Sequence, residues 1–209
     1  EELLVSPPAS LGDLVNGLPG VRSTSFAPGA SRPVIRGLAG PRVQVLVNGL
    51  GAIDASQVST DHQVAADPGE AVRIEILRGP STLAYGGSAI GGVVNIIDDR
   101  IPTERPTDEI DGRFSAQVGS VDDARSLVGG LTFSQGGPWV FTVQGVSRDT
   151  DDYDIPGPAM SRALADFLGV PREGPSRVVN SYSRLREWGV GGAWVGEDDD
   201  YLGASVKRT

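Results

Sequence analysis

The sequence predicts two unlike parts: a small α+β domain built on a mixed sheet with short helices, and after it a series of antiparallel strands. Three observations lead there. Up to about residue 100, short helical and strand-like segments are punctuated by Gly and Pro. "IPTERPTDEI", residues 101–110, is a proline-rich, charged connector. Beyond it, apolar and polar residues alternate in segments of roughly ten residues, the length at which a tilted strand crosses a bilayer.

In the first part, Leu11, Leu14, Val15 and Leu18 recur at helical spacing behind Ser10, so "SLGDLVNGLPGV" reads as an amphipathic helix capped by Ser10 and stopped by Pro19-Gly20. "PVIRG" is a short strand. "RVQVLVNG" sets Val43, Val45 and Val47 against Gln44 and Leu46 and ends on the turn dipeptide Asn48-Gly49, with a second strand after it. In "AVRIEILRG", Val72, Ile74 and Ile76 take one face, with Arg73 and Glu75 on the other. The near-continuous apolar run of "GGVVNIID" predicts a strand buried on both faces.

Past the connector, "GRFSAQVG" sets Phe114, Ala116 and Val118 against Arg113, Ser115 and Gln117, and "WVFTVQGV" sets Trp139, Phe141 and Val143 against Thr142 and Gln144. "SLVGGLTFS", "EWGVGGAWV" and "YLGASVKRT" repeat the pattern more weakly. The connections run medium ("SVDDAR"), short ("QGGP"), long (about 149–183) and short ("EDDD"). Short turns on one side and longer loops on the other fit an outer-membrane barrel, and a soluble sandwich equally well; periodicity alone does not choose. In the long loop, "SRALADFLG" reads as a short helix with Leu164, Phe167 and Leu168 on one face, lying over the mouth of the sheet.

Composition removes several functions. The 209 residues carry a net charge of −9 with Lys207 the only lysine, so there is no basic stripe for a nucleic-acid backbone. Without cysteine there is no thiol chemistry, disulfide or Cys-ligated zinc. No apolar run is long enough for a transmembrane helix, and the start on Glu1-Glu2 is not a signal peptide. "EILRGPSTLAYGGSAIGGVVNII" invites a phosphate-loop reading, but Ser88 stands where G-x-G-x-x-G needs glycine and the stretch has no lysine for a P-loop. Gly86-Gly87-Ser88-Ala89-Ile90 lacks the last glycine of a serine-hydrolase elbow, and His62 is the only histidine. An enzyme is not expected. "DTDDYD", Asp149 to Asp154, has the carboxylates of a Ca²⁺ loop without its glycine and terminal glutamate, and reads as a solvated acidic loop.

"VRIEILRGPSTLAYGGSAIGGVVNII" resembles the signature of the plug domain of TonB-dependent outer-membrane receptors, and "SLGDLVNGLPGV", "PVIRGL" and "RVQVLVNG" match further plug landmarks in order. The resemblance covers most of residues 11 to 100 and moves the choice from sandwich to membrane barrel. It implies an N-terminally truncated plug domain over 1–100, a linker at 101–110, and over 111–209 the first five or so strands of a transmembrane β-barrel, with the long loop extracellular. Five strands cannot close around a plug, and an open edge in lipid is costly, so the chain is expected to be a fragment of a longer one.

The implied function is active uptake of a scarce nutrient across the outer membrane of a Gram-negative bacterium, the plug gating the barrel. The partners are outer-membrane lipid, the nutrient and the TonB-ExbB-ExbD complex, which engages an N-terminal TonB box as an added strand. "EELLVSP", Glu1–Pro7, resembles such a box, but its spacing to "SLGDL" suits the plug better, so the box is expected to be absent. The competing reading is a soluble β-rich binding or signalling protein.

The resemblance also implies residue roles. Arg36 of "VIRG" and Arg78 of "LRGP" match arginines that anchor plug to barrel wall through carboxylates, with Glu75 in the same network; the plain alternative is a surface arginine at a strand end. Gly79, Gly86, Gly91 and Gly92 are assigned to backbone geometry. "DASQVSTDHQVAADP" resembles the plug segment of a subgroup that includes zinc importers, so Asp61 and His62 are candidate ligands for Zn²⁺ as transported substrate, with further ligands from barrel strands. Against it, the long loop has no histidine, and a lone loop histidine is commonly just solvated.

Overall fold

A computed structural model of the chain describes residues 10–24, 30–51, 64, 68–172, 174, 176–198 and 200–209. Asp61 and His62 lie outside them, as does Glu1–Pro7.

Helix α1 spans Leu11–Val15, shorter than its apolar spacing predicts. Ser10 caps it by accepting from the backbone N–H of Asp13, and Leu11 and Val15 enter the core. The chain leaves helical geometry at Asn16 and Gly17 takes φ 95°, which carries Leu18 out to solvent instead of onto the core face. Strands β1 (Val21–Ser23) and β2 (Pro33–Ile35) form an antiparallel pair beside the helix.

The main sheet of this part comprises β3 (Val43–Val47), β4 (Leu50–Gly51), β5 (Arg73–Leu77) and β6 (Gly92–Ile97) in the order β4-β3-β6-β5. It is mixed, since β6 runs parallel to β3 and antiparallel to β5. The central strand β6 is buried on both faces: Val94 and Ile96 join the cluster with Leu11 and Val15, while Val93 packs with Leu46 and Ala89 on the other side. Leu46 is therefore core, although alternation assigns it to the polar face of β3. Val72 precedes β5 and is exposed, whereas Ile74 and Ile76 pack on the core as the alternation predicts.

The signature stretch links β5 to β6. Gly79 (φ 84°) and Gly86 (φ 106°) bracket a 3-10 helix, Pro80–Tyr85, in conformations that side chains resist. Gly91 and Gly92 lie so close to the Arg42 carbonyl and Ile35 that a Cβ would meet them at 2.9 and 2.6 Å.

Five strands follow in one antiparallel sheet of order β13-β12-β9-β8-β7: β7 (Ile110–Val118), β8 (Arg125–Ser134), β9 (Trp139–Thr150), β12 (Ser183–Val195) and β13 (Tyr201–Arg208). Between β9 and β12 lie a small pair, β10 (Tyr153–Asp154) with β11 (Arg177–Val178), and helix α2 (Arg162–Leu168). Leu164, Phe167 and Leu168 are all exposed, and only Ala165 of α2 is buried. The acidic run has internal partners: Asp152 accepts from the backbone of Ser181 and Tyr182, and Asp154 pairs with Arg177.

The five-stranded sheet is apolar on one face and polar on the other, and its polar face is the buried one. Thr142, Gln144 and Arg148 of β9 are buried, while Trp139, Phe141 and Val143 are exposed. Among the described residues no strand pairs with either edge, β7 or β13. At the short-turn end the exposed face carries paired aromatics, Trp139 opposite Trp194 and Phe133 opposite Phe141. Ten residues separate Trp139 from Asp149 at the other end of β9. On a strand tilted by about 45° that is roughly 24 Å along the membrane normal, close to the apolar band of an outer-membrane barrel.

Candidate functional site: the seam between plug sheet and strand wall

The polar face of the wall meets the first part of the chain along a seam that starts where β6 ends. The backbone of Arg100 and Ile101 runs flat against β12. Thr142 Oγ1 donates to the Arg100 carbonyl at 2.7 Å, and Ile101 packs on Val140, Ala193 and Val195. Gly191 makes this approach feasible: a Cβ there would lie 1.8 Å from the Arg100 carbonyl oxygen. Lower down, the Arg105 guanidinium donates through Nε and Nη2 to the Val195 carbonyl at 3.0 and 2.6 Å. A cavity of about 520 Å³ adjoins the seam, between the β3–β4 turn, Asp98–Pro102 and Tyr201.

The centre of the seam is Glu70, at the end of a 3-10 turn, Pro68–Glu70. Its side chain is 2 % exposed and meets two strands of the wall, while its backbone carbonyl meets a third. Lys207 Nζ of β13 approaches Oε2 at 2.8 Å, and Gln144 Nε2 of β9 donates to the same oxygen at 3.3 Å. Lys207 also pairs with Glu187 of β12 at 2.6 Å. From β7, Arg113 Nη2 donates to the Glu70 backbone carbonyl at 2.9 Å and to Asp99 at 3.1 Å. Beside them Asp98 is held by Arg100 Nε at 2.7 Å and Asn48 Nδ2 at 2.8 Å.

One ammonium thus serves two buried carboxylates, which leaves the cluster anionic. Burial pushes the Glu70 carboxyl above the ordinary value of 4.5; Lys207 opposes that shift, and the charges of Glu187 and Asp98 add to it. A buried pair of this kind contributes modestly when intact and costs several kcal/mol when one partner is removed. The arrangement is a clasp between two parts of the chain, and it holds the Pro68–Glu70 turn against the wall.

The expected anchors lie elsewhere. Arg36 is exposed in a turn with φ 51°, its backbone N–H bonded to the Gly20 carbonyl. Arg78 is exposed and donates to the Pro19 carbonyl, inside the first part of the chain. Glu75 is engaged by Arg73 at 2.9 Å and Asn95 at 3.2 Å. Among the described residues these three do not assemble into one network, and the described wall contacts run through Glu70, Asp99, Arg100 and Arg105. Sequence reasoning missed Glu70, Arg113, Gln144, Glu187 and Lys207. A signal existed: Arg113, Glu187 and Lys207 are charges at the polar positions of alternating strands, where a buried partner of opposite sign has to stand opposite them. Among the described residues no group of three potential metal ligands occurs.

The model of the TonB-dependent receptor plug domain family matches residues 1–93. The chain is 31% identical over 177 residues to the ferric enterobactin receptor PirA of Pseudomonas aeruginosa, covering 74% of this chain and 23% of that protein. It is 32% identical over 146 residues to the vitamin B12 transporter BtuB of Photobacterium profundum, covering 69% and 24%. Among solved structures, the siderophore receptor PirA from Pseudomonas aeruginosa superposes with a TM-score of 0.59 at 25% identity, over 99% of this chain and 34% of that one. The copper transporter OprC shares the fold at 19% identity, with a TM-score of 0.69 over 96% and 28%. The chain thus spans about a quarter of the curated relatives it matches.

Proposed function

The chain belongs to the TonB-dependent receptors of the Gram-negative outer membrane, and we propose that its parent protein imports a scarce nutrient, with residues 1–100 as the plug, 101–110 as the linker and 111–209 as the first strands of the barrel. The observation that carries this reading is the inverted wall: an apolar, aromatic-fringed face turned outward, and a polar face buried against a mixed sheet. A soluble sandwich buries its apolar face instead. The open edges of the wall are then completed by strands outside this chain. The family model begins its match at residue 1, which supports reading Glu1–Pro7 as plug. The energy-coupling partner is the TonB-ExbB-ExbD complex.

For the nutrient, the relatives point to metal chelates: one is a ferric enterobactin receptor and one a vitamin B12 transporter. We therefore favour an iron chelate or cobalamin over a bare ion. The test is growth of a deletion strain complemented by the full-length gene, with ferric catechol chelate as sole iron source or cobalamin as sole cofactor source, in the presence and absence of TonB. Uptake that needs both gene and TonB is expected. Uptake indifferent to the gene, or a product found soluble and monomeric without detergent, overturns the proposal in favour of a β-rich binding protein.

A second reading is carried by the adjacent Asp61 and His62: zinc as cargo, with this pair supplying two of its ligands. Calorimetry with zinc on the full-length receptor and His62→Ala separates the readings, since equal affinity in the two removes zinc. Binding by His62 must also weaken as pH falls through the imidazole pKa, about 6.5 when unperturbed.

A further inference from the structure

The outward face of the wall is not uniformly apolar, and its departure from uniformity has the shape of an amphiphile. Strand register places Phe114, Gly129, Gly145, Trp188 and Arg208 side by side across β7, β8, β9, β12 and β13. The two glycines leave a groove of about 380 Å³ beside Phe114, with Leu127 and Ser147 above the glycines, and Trp188 follows Gly145 in the same row on β12. One step toward the long-loop end the outward row is Ala116, Leu127, Ser147 and Arg186, and one step further it is Val118, Arg125, Asp149 and Arg184. An apolar groove therefore leads up to four arginines and one aspartate, on a chain whose net charge is −9.

Among the described residues these arginines are only weakly engaged. Arg184 and Arg186 are 73% and 77% exposed and both approach Asp149 only at 3.8 Å, so one carboxylate loosely serves two guanidinium groups. A cation on the lipid face of a barrel costs about 2–4 kcal/mol at the bilayer midplane and about 0–1 at the interface, so a cluster here belongs at the headgroup level. The aromatic pairs at the short-turn end, roughly 24 Å below, mark the opposite interface. With the longer connections facing outward, the arginines stand in the outer leaflet. Guanidinium groups rather than ammoniums favour a phosphate, which they grip with paired N–H donors. From β8 to β13 the patch crosses three strand spacings, about 14 Å, wide enough for more than one phosphate.

We propose that the outer wall of β8, β9, β12 and β13 is a binding site for a phosphorylated, multiply acylated glycolipid of the outer leaflet, of the lipid A type. An acyl chain lies in the groove over Gly129 and Gly145 against Phe114 and Trp188, and the phosphates sit on Arg125, Arg184, Arg186 and Arg208. Arg208 lies opposite Trp188 in register, level with the groove, and in the proposed complex its long side chain reaches up to the headgroup. The inference rests on the reading of these strands as outer-membrane wall.

The test uses the full-length receptor, purified in detergent and titrated with bisphosphorylated lipid A, its monophosphorylated form, phosphatidylglycerol and inorganic phosphate, with retention read by native mass spectrometry. Bisphosphorylated lipid A should bind at least tenfold more tightly than phosphatidylglycerol. R125A/R184A/R186A should lose at least tenfold of that preference. Gly129→Leu should weaken acylated ligands severalfold: a Cβ at Gly129 meets only Phe114 Cδ2 at 3.6 Å and the Arg113 carbonyl at 3.7 Å, so the side chain fills the groove without disturbing the strand. Arg177→Ala, paired with Asp154 in the outer loop, is the control and should change nothing. Equal binding of the lipids, of wild type and triple variant, or of inorganic phosphate and lipid A overturns the proposal, as does a receptor that dimerises through this face without selecting a lipid. Outer-membrane fractionation and heat-modifiable migration of each variant report separately on the barrel reading, so its failure is distinguishable from failure of the lipid site.

Discussion

The two parts of the chain use apolar alternation to opposite ends. In the plug sheet, neighbouring residues Val93 and Val94 are both fully buried, one on each face, and the strand is held by contacts on both sides. In the wall, neighbours Phe141 and Thr142 are half exposed and buried respectively, and it is the threonine that is inside. The plug has a core of its own. Among the described residues the wall has a small cluster, Val140, Ala193 and Val195, and the residue packed against it, Ile101, comes from the segment that follows β6. A plug sheet can therefore survive changes that the wall and seam cannot, because the wall's inner face is completed by the plug and, on the proposed reading, its outer face by lipid.

The largest break in that comparison should come from Lys207→Met in the full-length receptor. It leaves Glu70 and Glu187 buried without their shared cation, a change that costs about 3–5 kcal/mol in buried pairs. The expected readout is release of the plug at lower urea, followed by protease cleavage around residue 70, with the barrel still heat-modifiable. Adding Glu70→Gln and Glu187→Gln should recover much of the loss; a triple variant as weak as the single one would assign Lys207 a packing role instead.

Gly191→Val comes next. Its Cβ cannot coexist with the Arg100 carbonyl, so the segment leaving β6 must shift off the wall, at about 3 kcal/mol or more for an overpacked site with backbone on the far side. Gly192→Val is the comparison, since its Cβ would meet the Phe141 ring at 2.9 Å on the outward face, where a side chain can move. Equal damage from the two would mean that strand propensity, and not the seam, is what Gly191 serves.

These sites also mark how far the sequence could be read. The mixed sheet, the β6 strand buried on both faces and the five alternating strands were legible because each expresses a period that burial enforces locally. Leu18 was misplaced because the chain leaves the helix at Asn16 and turns at Gly17, a backbone event that side-chain spacing does not report. Leu46 was misplaced because alternation assumes one buried face, and β3 is covered on both. The clasp was legible only on its wall side, in the charges at polar strand positions; its pairing was not, because Glu70 and Lys207 are 137 residues apart and Glu70 looks in sequence like a solvated charge. Arg36 and Arg78 were legible only by resemblance, and their anchoring role would need strands beyond these five.

A perturbation confined to the plug should leave the wall alone. Ser10→Ala removes the cap of α1 and should cost about 1 kcal/mol, read as faster hydrogen exchange in α1 and β1 with no change in the urea midpoint of plug release. Exchange spreading to β12 would show that the plug's first helix and the seam form one cooperative unit.

The smallest effect expected is a pH dependence of docking centred on Glu70. Undocked, its carboxyl titrates near the ordinary 4.5; docked, burial raises it, with Glu187 and Asp98 reinforcing and Lys207 opposing the rise. Between the two values the docked state holds more proton than the undocked one, so docking strengthens as pH falls from neutral. The Glu70 contribution is complete below the undocked value and lost as pH rises through the docked one. At most one proton is involved, so the slope stays below about 1.4 kcal/mol per pH unit. Gln144, which donates to the same oxygen as Lys207, does not titrate and sets no slope of its own. Plug release by urea, measured across this range in wild type and Glu70→Gln, should differ in slope and converge at the acid end. A parallel pair of curves would mean that Glu70 takes up no proton on docking and stays ionised beneath Lys207.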